Sequence, residues 1–73
     1  MKNYNEILRE LREDRDLSQQ HIAKLLNTDT SYYGKYERGI RPLPIEHLKK
    51  LALFYNISTD YILGLPNMPY PKR

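Results

Sequence analysis

Apolar residues recur at helical spacing in this chain, but only in short runs separated by residues that cap or stop helices. That punctuation constrains the fold more than any other feature. Tyr4, Ile7, Leu8 and Leu11 fall at i, i+3, i+4 and i+7, one face of a helix over about 4–15. Its other face carries Glu6, Arg9, Glu10, Glu13 and Asp14. Ser18 is an N-cap with Leu17 as staple, and Ile22, Ala23, Leu25 and Leu26 are the apolar set of a second helix, 19–26. Asn27 tolerates a left-handed stop. Asp29 caps a third helix, 30–37, closed by Gly39, with Tyr33 and Tyr36 turned inward. After an ordered loop at 38–43 containing Ile40 and Leu43, Pro44 suits the first turn of a fourth helix, 44–55. Ile45, Leu48, Leu51, Ala52 and Tyr55 form its inner face, and Asn56 closes it. Ser58 caps a fifth helix, 59–63, stopped by Gly64. No strand signal competes, so the chain is expected to be all-α.

Composition narrows the classes. Seventy-three residues make one domain, near the lower size limit for folding without staples. The absence of cysteine excludes disulfides and thiolate metal sites. His21 and His47 read as surface helix residues, too far apart to make a metal site alone. Apolar runs of four or five residues are far short of a membrane span, and the opening MKNYNEILRE lacks a signal core. The expectation is a soluble, cytoplasmic protein with no cofactor, no metal, no membrane partner and no evident small-molecule ligand. The last nine residues hold three prolines. They predict a domain over 1–65 and an extended, flexible tail over 66–73. An enzyme would need a Gly-rich phosphate loop, a metal motif or a nucleophile with a placed base, and none is present.

The net charge of +3 is unevenly spread. Residues 1–34 hold five Lys/Arg against six Asp/Glu, and residues 35–73 hold seven against three. The excess begins with Lys35, Arg38 and Arg41, immediately after two short helices joined by a brief turn. A phosphate-binding surface needs such clustering, although a solvated basic face has the same composition. A helix-turn-helix requires a small residue for the close crossing, a turn residue able to take positive φ and apolar anchors on the second helix. Ala23, Asn27, Tyr33 and Tyr36 supply them at the right spacing.

The run from Leu17 to Leu65 resembles the lambda-repressor-like, Cro-like XRE family. Leu17-Ser18-Gln19, Tyr36-Glu37-Arg38-Gly39, Pro44 before an amphipathic helix, and Ile57-Ser58 with Asp60 carry the resemblance. It implies a five-helix bundle binding operator DNA as a homodimer, a repressor of bacterial or phage type. It also implies that Gln19 bonds a phosphate and braces the recognition helix, and that Arg12 and Glu37 form a buried structural ion pair. Arg38 and Arg41 resemble the family's phosphate clamps, although Arg38 can instead bend back to cap its helix. Tyr33 stands where the family has a smaller aliphatic residue.

The recognition helix meets base edges with its N-terminal residues, here Thr30, Ser31 and Tyr32, with Lys35 one turn on. Hydroxyls and an ammonium suit those edges. Gln20, beside helix N–H groups, is a phosphate candidate or a solvent-facing residue. Gly34 either lets the helix approach the duplex closely or faces solvent. A single small domain buries little DNA surface, so paired half-sites on a palindromic operator are expected. Tyr61, Ile62 and Leu65, with Met68, are the candidate dimer surface, or else merely cover the core. The rival reading is an antitoxin or protein-interaction adaptor built on the same fold.

Overall fold

The computed structural model describes residues 2–65, which form five helices and no strand. They are α1 (Tyr4–Asp14), α2 (Gln19–Leu25), α3 (Thr30–Glu37), α4 (Ile45–Tyr55) and α5 (Thr59–Leu63). The tail at 66–73, with Met68, lies outside the described residues.

Capping side chains start three of the helices. Ser18, Asp29 and Ser58 accept the backbone N–H of His21, Tyr32 and Tyr61, each satisfying a donor that the first turn leaves free. Asn3 starts α1, its own N–H donating to the Glu6 carboxylate at 3.4 Å. Pro44 is the N-cap of α4, at φ −63° and ψ 148°, one residue outside the first turn expected for it.

All five helices end the same way. Asp16, Asn27, Gly39, Asn56 and Gly64 each take positive φ just past a helix. The next residue's N–H then reaches back five positions: Leu17 to Arg12, Thr28 to Ala23, Ile40 to Lys35, Ile57 to Ala52 and Leu65 to Asp60, all at 2.9–3.1 Å. This double reversal satisfies orphan carbonyls and turns the chain sharply, so connections of only a few residues suffice. The left-handed Asp16 is the one stop the sequence did not suggest. Gly64 has a further duty. A Cβ there would lie 2.3 Å from the Lys2 carbonyl oxygen, so the end of α5 closes directly onto the start of the chain's first helix.

The core draws on every helix. Leu8, Ile22, Tyr33, Leu51 and Ile62 are wholly buried, and each aliphatic among them contributes about 1.5–3 kcal/mol by leaving water. Ala23 lets α2 and α3 cross closely, while α1 packs on α3 and α5, and α5 on α4. Helical spacing turns Ile45 inward, but it is 72% exposed because the helix begins beyond the edge of the core. Ile40 is likewise exposed, while Leu43 of the same loop packs against the core.

Ile62 requires a correction. It was a candidate for the dimer surface, but it is fully buried among the core side chains and is unavailable to a partner. Tyr61 and Leu65 beside it are 57% and 51% exposed.

Candidate nucleic-acid interface

The eight residues of α3 divide into two faces. Tyr33, Gly34, Tyr36 and Glu37 are buried. Thr30 and Ser31 are exposed, with Tyr32 and Lys35 half-exposed beside them. Asp29 fixes the exposed end, its Oδ1 accepting the Tyr32 N–H at 2.7 Å.

Glu37 anchors the far end. Arg12 Nε donates to its Oε2 at 2.7 Å and Arg12 Nη2 to its Oε1 at 3.1 Å. The fork matches the carboxylate, the strongest geometry for such a pair. Gln19 Nε2 also donates to Oε1 at 3.1 Å, and Arg12 Nη1 donates to the Leu17 carbonyl at 2.8 Å. A single carboxylate thus clamps α1, the α1–α2 turn and the start of α2 onto α3. Burial alone would push the Glu37 carboxyl up. The hydrogen bonds from Arg12 and Gln19, the nearby Tyr33 phenol and the charge of Arg12 outweigh it and hold the carboxyl below its ordinary range.

Gly34 does not face solvent. It is buried, and a Cβ on it would stand 3.4 Å from Gln19 Oε1. A methyl there would therefore meet the Gln19 amide at ordinary contact distance.

Arg9, Arg12, Gln19 and Arg38 line a concavity of about 190 Å³ with Glu13 and Glu37. Gln20 is exposed at the start of α2. Arg38 bends back, its Nε donating to the Gly34 carbonyl at 3.3 Å, and so caps its own helix. Arg41 is held differently. Its backbone N–H and that of Ile40 both reach the Lys35 carbonyl, at 3.3 and 3.0 Å. The Tyr4 phenol donates to the Arg41 carbonyl at 3.2 Å. The Arg41 guanidinium lies over the Tyr32 ring, 5.1 Å from its centre, and Lys35 Nζ approaches the same ring at 5.9 Å.

Several placements were not legible beforehand. Tyr33 and Tyr55 have buried hydroxyls without a hydrogen bond of normal geometry. Burial pushes both phenols up, Tyr55 to about 12. His47, expected at the surface, is half-buried with its ring edge-on to Tyr36 at 5.7 Å, and burial and Lys50 lower its pKa. No helix among the described residues is long and apolar enough to cross a membrane.

Comparison with known proteins places this geometry. The model of the helix-turn-helix family matches residues 8–62. The chain is 39% identical over 69 residues to an uncharacterized HTH-type transcriptional regulator of Bacillus subtilis, YobD, covering 94% of this chain and 62% of that one. It is 36% identical over 50 residues to the cryptic phage CTXphi transcriptional repressor RstR of Vibrio cholerae, covering 68% of this chain and 45% of the relative. The chain thus spans about half to two-thirds of the length of these relatives. The crystal structure of the P22 c2 repressor in complex with a synthetic operator shares the fold, with a TM-score of 0.78 at 22% identity over 86% of this chain and 96% of that one.

Proposed function

The chain belongs to the XRE family of helix-turn-helix domains, and on that footing we propose that it binds double-stranded DNA as a sequence-specific transcriptional repressor. The observation that carries the reading is the division of α3. Its buried face is clamped through Glu37, and its opposite end offers Thr30, Ser31 and Lys35 to solvent beside Arg41. A helix end of that kind fits the major groove, where hydroxyls and an ammonium meet base edges. Gln19, Gln20 and Arg41 stand where phosphates would flank it. Arg38 reaches a phosphate only by leaving the Gly34 carbonyl, which makes it the weaker contact.

Two copies would bind a palindromic operator. With Ile62 in the core, the dimer surface reduces to the exposed Tyr61 and Leu65, joined by the 40% exposed Leu63. Tyr61→Glu with Leu65→Glu should shift the monomer–dimer equilibrium in analytical sedimentation towards monomer. An unchanged equilibrium removes this surface from consideration.

Selection from a pool of random duplexes tests binding, symmetry and spacing together. The expected product is a pair of inverted half-sites about one helical turn apart, roughly 10 base pairs centre to centre. Lys35→Ala should weaken binding and relax preference at one position, while Arg41→Ala should weaken all sequences alike. A purified protein without salt-sensitive affinity for any duplex refutes the proposal.

A further inference from the structure

We propose that Tyr32 is a positioning residue whose ring holds the Arg41 guanidinium, so that the base-facing end of α3 and the loop after it present one rigid cationic surface. The inference rests on the DNA-binding reading and changes the part Tyr32 plays in it. The sequence made Tyr32 a base contact. The structure gives its ring another occupation.

Arg41 is exposed, and an exposed arginine is costly to order. Its backbone is nevertheless fixed from two sides, by the Lys35 carbonyl and by the Tyr4 phenol. Only the side chain remains to be oriented, and the Tyr32 ring lies beneath it at 5.1 Å. A guanidinium in that position is drawn to the negative face of the ring. The ring cannot swing away freely. It meets Tyr36 edge-on at 5.6 Å, and Tyr36 is itself held edge-on by Tyr33 at 6.1 Å and His47 at 5.7 Å. Orientation thus passes from the buried tyrosines through Tyr32 to a cation in a surface loop. Lys35 Nζ, 5.9 Å from the same ring, shares the support. A cation ordered before binding loses less freedom when it meets a phosphate.

Three variants separate positioning from base reading. Tyr32→Leu removes the ring face but keeps an apolar residue, Tyr32→Phe keeps the ring, and Arg41→Ala removes the cation. Titrating each against the selected duplex at several salt concentrations should show Tyr32→Leu binding about two- to five-fold more weakly. The loss should be equal across operator variants. The slope of log K against log salt should flatten by up to about 0.9, the value of one phosphate contact. Tyr32→Phe should match the wild type, and Tyr32→Leu should add nothing in an Arg41→Ala background. A Tyr32→Leu protein that changes base preference at one position with its salt slope intact reads bases, and the proposal fails.

A readout without DNA keeps the two proposals apart. In proton NMR of the free protein the Arg41 δ-methylene signals should lie upfield, shifted by the Tyr32 ring current, in wild type and Tyr32→Phe. They should return to ordinary positions in Tyr32→Leu, with circular dichroism confirming the fold. Unshifted signals in the wild type overturn the positioning role whatever the DNA result. If the wild type binds no duplex but the signals are shifted, the DNA reading falls and the ring–guanidinium contact stands.

Discussion

Replacing Glu37 with Gln keeps the shape of the clamp and removes its charge. The Glu37 side chain is 3% exposed and that of Arg12 13%, so the variant leaves a guanidinium facing an amide in a mostly dry site. Breaking one side of a buried pair typically costs about 3–5 kcal/mol. Arg12 keeps its bond to the Leu17 carbonyl and some contact with water, which places the loss near the lower end, about 3 kcal/mol. A domain of this size has a total stability of about 4–11 kcal/mol. The variant should therefore fold, but with a melting temperature lower by about 12–24 °C. Urea unfolding followed by circular dichroism measures the loss directly. Pairing Glu37→Met with Arg12→Met should recover most of it, because two apolar residues strand no charge. The pH dependence gives an independent check. The folded Glu37 carboxyl is held below its ordinary 4.5, so the unfolded chain takes up this proton first as pH falls. The stability from Glu37 is complete above about pH 5 and is lost as pH drops through the folded value. Glu37→Gln should flatten that acid slope. A loss under about 1 kcal/mol, or a double variant no more stable than the single one, refutes the clamp as described.

Three further outcomes follow from the backbone and the buried phenols. Gly34→Ala adds a methyl at ordinary contact distance from Gln19 and removes a glycine from a helix, so chemical denaturation should show a gain of up to about 1 kcal/mol. A loss instead means that the Gln19 amide cannot yield. Gly64→Ala meets both a φ of +74° and the Lys2 carbonyl at 2.3 Å, and should lower stability by more than the ~1 kcal/mol expected of left-handed strain alone; a neutral result contradicts the close contact. In alkali, unfolded tyrosines ionise near 10 while Tyr55 is pushed up to about 12 and Tyr33 further. The unfolded chain therefore loses these protons first, and stability should fall from about pH 10 by up to about 1.4 kcal/mol per pH unit for each phenol. Ultraviolet titration showing every tyrosine ionised near pH 10 in a folded protein contradicts their burial.

Helix positions were legible because local chemistry sets them: Ser18, Asp29 and Ser58 cap where capping side chains are expected, and Asn27, Gly39, Asn56 and Gly64 stop where left-handed residues are expected. Asp16 escaped notice because aspartate adopts that conformation only when its surroundings favour it. What periodicity could not resolve was the partition of one helical face between core and rim. Ile45 sits at inward spacing yet is exposed, and Ile62, offered for the dimer surface, is buried, since burial depends on what lies opposite. The Arg12–Glu37 pair came from a family resemblance, as two charges 25 positions apart carry no local signal. The stacking of Arg41 on Tyr32 depends on the path of a loop, and the surroundings of Gly34 on a side chain from another helix. Neither spacing nor propensity reports such encounters.

The separation of α3 into a clamped side and a free side bears on how a protein like this acquires new targets. Thr30 and Ser31 are exposed and contribute nothing to the core, so under the proposed reading substitutions there redirect recognition at little risk to folding. Tyr32 is the exception, since a replacement without an aromatic ring also releases a neighbouring cation. Drift in target preference should consequently begin at the first two positions of the helix and reach the third only together with compensating change in the loop.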